Sequence, residues 1–300
     1  MTKHFLSLEE HSHEALQAML NRAVELKASR GDESLQPLKG QTWGLIFSKS
    51  STRTRVSFEV GIRELGGRAM FLSARELQLG RGEPIKDTAR VLGRMIHGAV
   101  IRTFAHQEIV DFAEFSDIPT INALTDHAHP CQIMADLLTM QEKLGSIEDR
   151  VVTFVGDGAC NVATSWVYAA SKFGFELRIA APEGFQPSRE LLERVGGKVL
   201  VTSDVASAAE GADVLYTDVW VSMGMEEEAE ERARQFQGFQ INEKTVGLAK
   251  SSVLVMHCLP AYRGKEISEE SLEAHANTIF DQAENRLHAQ KGVICSLLGV

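Results

Sequence analysis

Cysteine, basic charge and long apolar runs are all scarce in this 300-residue chain, and each scarcity excludes something. The four cysteines, Cys131, Cys160, Cys258 and Cys295, share no short repeating spacing. That argues against a disulfide framework and fits a reducing compartment. A formal charge of -10 and a pI near 5.5 set the chain against a phosphate backbone, which excludes general binding to nucleic acid or to an anionic membrane. No segment approaches the roughly 20 apolar residues of a membrane span, and Met1 to Phe5 lead into charged residues without an apolar core. The expectation is a cytoplasmic protein with no membrane partner. Internal repeats and low-complexity segments are lacking too, and the acidic run 226–231 reads as a solvated helix face.

What is present is 44% hydrophobic content, over a length that favours two domains. Ser12 precedes a helical stripe of Leu16, Met19, Leu20, Ala23 and Leu26 that ends near Arg30-Gly31. Short apolar strands follow at 42–47, 69–72, 99–101 and 120–122, with helical patterns between them; Phe58, Ile62 and Leu65 mark one helix, stopped by Gly66-Gly67. The second half repeats the alternation at 151–155, 177–181, 199–201, 214–216, 253–256 and 278–280. This pattern predicts an α/β fold of two domains, each with a central, mainly parallel sheet flanked by helices, divided near 140–150.

The chemistry-bearing residues fall where these strands end. Ser48 to Arg55 stand between a strand and a helix, so free N–H groups and the positive end of the helix dipole point into the turn. Ser51, Thr52 and Thr54 add hydroxyl donors, and an arginine fork can hold two phosphate oxygens. Taken alone, the turn reads equally well as an ordinary Ser/Thr cap beside solvated arginines. Arg102 and His129-Pro130-Cys131-Gln132 follow other strands, and a parallel sheet gathers such positions along one edge. The spacing His127, His129, Cys131 invites a metal, but no second cluster completes a ligand set, so the expectation is metal-free and cofactor-free. Gly156-Asp157-Gly158-Ala159-Cys160-Asn161 resembles part of a dinucleotide turn; Asn161 stands where its third glycine or alanine belongs, which leaves a NAD-dependent dehydrogenase as a distant alternative. Asp218, after another strand, could meet a substrate ammonium, and the thiol of Cys258 could sit beside it.

Together these strings resemble one family, the aspartate and ornithine carbamoyltransferases, and within it the ornithine-using branch. They are Ser51-Thr52-Arg53-Thr54-Arg55, Lys86-Asp87-Thr88-Ala89-Arg90, His129-Pro130-Cys131-Gln132, Asp218-Val219-Trp220 with Ser222-Met223-Gly224, His257-Cys258-Leu259-Pro260 and Glu284-Asn285-Arg286. Aspartate users resemble His-Pro-Leu-Pro-Arg at the fifth string, with proline where Cys258 stands, and lack Ser-Met-Gly.

The resemblance implies transfer of the carbamoyl group of carbamoyl phosphate to the side-chain amine of L-ornithine; putrescine, an N-acylornithine or aspartate are alternative acceptors. It implies that Ser51, Thr52, Arg53, Thr54, Gln78, Arg102, His129, Gln132, Cys258, Leu259 and Arg286 bind carbamoyl phosphate, and that Asn161, Asp218, Ser222 and Met223 bind ornithine. Arg102, His129, Asp218 and Cys258 are the implied catalytic residues. Residues 1–142 would form the carbamoyl phosphate domain and 143–286 the ornithine domain, with 287–300 a helix returning to the first. A homotrimer or a multiple of it, with sites at subunit interfaces, is also implied.

Overall fold

The computed structural model describes residues 3–32, 34–73, 82–221, 227 and 229–300. Gln78, Ser222 and Met223 lie outside them. The chain divides into two compact units, Met1–Leu138 with Glu284–Val300, and Thr139–Ala283.

The first unit holds α1 (His13–Ala28), β1 (Thr42–Phe47), α2 (Thr52–Glu64), β2 (Arg68–Ser73), α3 (Ile85–Leu92), β3 (Gly98–Arg102), α4 (His106–Ser116), β4 (Thr120–Leu124) and most of α5 (Pro130–Leu144). Its sheet runs β2-β1-β3-β4, with every described pair parallel. Strands β1 and β3 are buried along nearly their whole length, as the near-continuous apolar runs of a sheet covered on both faces require. Ile46, Ile101, Ala89 and Phe112 belong to one buried cluster. Each of the isoleucine and phenylalanine side chains contributes about 1.5–3 kcal/mol by leaving water.

The second unit begins at β5 (Val151–Val155) and continues with α6 (Asn161–Phe173), β6 (Glu176–Ala180), α7 (Arg189–Val195), β7 (Val199–Thr202), α8 (Val205–Ala209) and β8 (Val214–Thr217). Then come α9 (Ala229–Gln235), α10 (Glu243–Leu248), β9 (Leu254–His257), α11 (Glu269–Ala274) and the start of α12 (Ala276–Leu298). The sheet order is β7-β6-β5-β8-β9, again parallel in every described pair. Strand order reverses between β1 and β3 in the first unit and between β5 and β8 in the second. A parallel sheet opens a crevice at such a switch point, beyond the carboxyl ends of its strands.

One expected strand is corrected. Thr278-Ile279-Phe280 is not a strand but part of the 23-residue helix α12. Three apolar-leaning residues are too short a run to separate helix from strand by period, and the flanking Ala, Gln, Glu and Leu residues favour helix. Within the first unit the later turns of α12 pack on α1 and α2: a side chain at Gly292 would collide with the Met19 carbonyl, and one at Gly61 would come within 3.3 Å of Leu287. Lys291 donates to Glu64 at 2.8 Å and Lys27 to Asn285 at 2.8 Å, fixing the register that presents Arg286.

Candidate active site

In the first unit Ser51 is the N-cap of α2. Its Oγ accepts the Thr54 N–H at 3.3 Å, and its hydroxyl donates to Thr54 Oγ1 at 2.9 Å. Thr54 is fully buried, and Arg286 Nη2 donates to the same Oγ1 at 2.7 Å. The helix start and Arg286, 232 residues apart in sequence, therefore meet on one hydroxyl. Thr52 is exposed; Arg53 is half-buried, with its Nε enclosed and unbonded.

Arg102 is the last residue of β3, buried, at a register shift against β4 between Ile101 and Arg102. Such irregularities re-aim a side chain at the end of a ladder. His129 is buried beside these cations. Burial first, then the charges of Arg286 and Arg102, hold its pKa well below the ordinary histidine value, so its ring is neutral at neutral pH. Gln132 donates Nε2–H to Asp136 Oδ1 at 2.8 Å. Its Oε1 is left as a buried acceptor without a partner.

In the second unit Asp218 follows β8 and Cys258 follows β9. The Cys258 thiol donates to Asp218 Oδ1 at 2.7 Å, and the Val219 N–H reaches the same oxygen at 2.7 Å. Burial pushes the Asp218 pKa up, and the nearby Glu266 adds to this; His257, the thiol and the Val219 N–H oppose them. Leu259 has φ +55°, uncommon for a residue with a side chain, and a cis bond joins it to Pro260. Asn161 opens α6 on the turn after β5, its carbonyl accepting from Ser165 Oγ at 2.8 Å.

Several supporting roles were not read from the sequence. His257 Nδ1 accepts the Leu259 N–H at 2.8 Å, so the ring carries its proton on Nε2, which lies 3.1 Å from Glu266 Oε1. Glu266, fully buried, also takes the Tyr262 N–H at 2.5 Å. This carboxylate fixes both ends of the segment that carries Cys258 and Leu259. Truncating it leaves the buried His257 Nε2–H and the part-buried Tyr262 N–H without their acceptor, and Glu266→Ala is expected to destabilise the protein by about 2–3 kcal/mol. A urea midpoint equal to that of the wild type would refute that support. Lys49, in the turn before α2, donates to Asp126 at 2.6 Å and covers the Phe104 ring at 3.9 Å.

The histidine and cysteine spacing at His127, His129 and Cys131 does not form a ligand set. Burial raises the Cys131 thiol to about 12, and it donates to the Asn122 carbonyl at 3.3 Å, whereas a metal takes the thiolate. Among the described residues, Asp218, His257 and Cys258 do bring ligand atoms within 4.8 Å of one another. Both His257 nitrogens and the Cys258 thiol are already engaged there, so an ion would have to displace one of these bonds.

Residues 3–142 match the carbamoyl-P binding domain of aspartate/ornithine carbamoyltransferases, and residues 148–297 match the Asp/Orn binding domain. The chain is 55% identical over 295 residues to the ornithine carbamoyltransferase of Akkermansia muciniphila, covering 97% of both chains, and 51% identical over 300 residues to that of Wolinella succinogenes, again covering 97% of both. Among solved structures it is similar to the anabolic ornithine carbamoyltransferase of Campylobacter jejuni, with a TM-score of 0.94, 42% identity and 99% of each chain covered. The enzyme from Pyrococcus furiosus gives a TM-score of 0.92 at 42% identity, over 98% of this chain and 96% of that one. Two parallel sheets with polar strand ends at their switch points, matched along nearly the whole length by domain and by relative, establish that this chain belongs to the aspartate/ornithine carbamoyltransferase family.

Proposed function

We propose that this chain is a transferase that moves the carbamoyl group of carbamoyl phosphate to the side-chain amine of L-ornithine, giving L-citrulline and phosphate. The observation that carries the choice of acceptor is the contact between Cys258 and Asp218, a thiol on a carboxylate whose pKa is raised. The names borne by the relatives agree with it.

In the first unit the donor is held by Ser51, Thr52, Arg53, Thr54 and Arg286 through its phosphate, and by Arg102, His129 and Thr54 through its carbonyl oxygen. The unpartnered Gln132 Oε1 suits the N–H of the carbamoyl group, since Asp136 fixes the orientation of that amide. Gln78, Leu259 and Cys258 complete the reading for the donor, and Asn161, Asp218, Ser222 and Met223 that for ornithine. The neutral amine attacks the carbonyl carbon, forming the C–N bond and a tetrahedral centre; the C–O bond to phosphate then breaks, and the amine gives up a proton. Cationic and neutral donors aimed at the developing oxyanion and at the leaving phosphate supply most of the rate. A free amine of this kind has a pKa of about 10.4, so the site must bind or produce the neutral form, and Asp218 with Cys258 are the groups proposed to manage that proton.

A homotrimer or a multiple of it is proposed from the family resemblance alone. No described helix is long and apolar enough to cross a membrane. The four free cysteines support a reducing, cytoplasmic setting. A colorimetric citrulline assay tests the function directly: product should form from ornithine and not from acetylornithine, putrescine or aspartate. A preference for putrescine would remove the α-carboxylate and α-amine from recognition and overturn the choice of acceptor.

A further inference from the structure

The second unit contains a buried ion pair that the proposed reaction does not use. Arg232, on α9, donates from Nη1 to Asp157 Oδ2 at 2.7 Å and to the Trp220 carbonyl at 2.9 Å, and its guanidinium lies 5.0 Å from the centre of the Phe185 ring. Both charged side chains are only 8% exposed. A surface pair of this kind contributes little, but a buried one fixes geometry, because either partner left alone is an uncompensated charge.

The pair joins three pieces of chain. Asp157 belongs to the turn between β5 and α6, and its other oxygen, Oδ1, accepts the Ala159 N–H at 3.0 Å, two residues before Asn161. Trp220 stands two residues after Asp218, and its own indole N–H donates to the Phe239 carbonyl at 3.2 Å. Arg232 thus ties the turn that ends at Asn161 to the segment that leaves Asp218, across the switch point between β5 and β8. We infer that Arg232 and Asp157 are positioning residues for the amine acceptor: neither touches it, and together they set the spacing of the two segments that bind it. This rests on ornithine being the acceptor at Asn161 and Asp218.

The test begins with wild-type citrulline formation from ornithine, which must be present before any variant is read; its absence would fail the acceptor assignment, not the positioning role. Arg232→Met and Asp157→Asn are each expected to raise the KM for ornithine about tenfold or more while the KM for carbamoyl phosphate stays within about twofold, since the first unit is untouched. The double variant should be no worse than the worse single one, because the two residues act as one coupled unit. Arg232→Lys keeps a charge beside Asp157 but replaces the rigid, planar guanidinium, whose Nη1 serves both acceptors, with a shorter and more flexible ammonium; should Arg232→Met not fold, a rise of about threefold or more in ornithine KM for the lysine variant is the supporting result. An unchanged ornithine KM, an equal rise in both KM values, or fully additive losses in the double variant would overturn the inference.

Discussion

Arg102→Met is expected to lower kcat for citrulline formation by about 10³-fold, equivalent to about 4 kcal/mol of lost transition-state stabilisation. The size follows from where the residue sits. It ends β3 at a register shift, is buried, and stands close enough to His129 to push that ring's pKa down. A buried guanidinium acts at low effective dielectric, where a developing oxyanion gains far more from it than it would in water. The substitution removes the charge and keeps much of the stem, so the thermal midpoint should move little beside the loss of rate. A second readout separates catalysis from packing: with one of its two neighbouring cations gone, His129 should titrate closer to the ordinary histidine value, though burial still holds it low. Steady-state kinetics with both substrates and an NMR titration of the His129 ring would measure the two effects. A loss of less than about tenfold in kcat would mean that Arg102 is not aimed at the reacting carbonyl.

The fold was largely legible because its strands are short apolar runs placed between amphipathic helices, and buried parallel strands leave that signature whatever their partners. Thr278-Ile279-Phe280 failed because three residues carry no period, and a helix context decided them. The site divides along a similar line. Ser51, Thr54, Arg102 and His129 stand at or after strand ends of the first sheet, and Asp218 and Cys258 after strand ends of the second, where order in sequence tells that the members of each set share an edge. Glu266 and Arg232 are a different matter. Glu266 lies in a stretch with no strand or motif, and its meeting with His257 depends on the turn through Pro260. Arg232 follows an acidic run that reads as solvated, and Glu230 and Glu231 are indeed exposed, yet the next residue turns inward to an aspartate 75 positions away. A charge pattern on a helix reports its solvent face, whereas an inward arginine is identified only by the partner that compensates it.

Asp218→Asn is expected to lower kcat/KM for ornithine by about 10³-fold while leaving the folded protein as stable as the wild type, or more so, at neutral pH. The sign follows from the raised pKa of Asp218, which burial causes. A carboxyl that holds its proton more tightly folded than unfolded favours folding fully at pH below its unfolded value, and that contribution is lost as pH rises through the raised folded value. At neutral pH the ionised group therefore opposes folding, and an uncharged asparagine removes the opposition. Thermal midpoints should show the variant equal or ahead at pH 7–8, and any advantage should vanish in acid, where the wild-type carboxyl is protonated in both states. Cys258→Ala extends the argument, since the thiol is one of the groups that hold the Asp218 pKa down. Removing it should raise that pKa further and carry the acid limb of the kcat/KM profile to higher pH. A profile that does not move would take the thiol out of proton handling, and an Asp218→Asn variant that is both inactive and clearly less stable would make Asp218 a structural anchor instead of a group held ready for the ammonium of the acceptor.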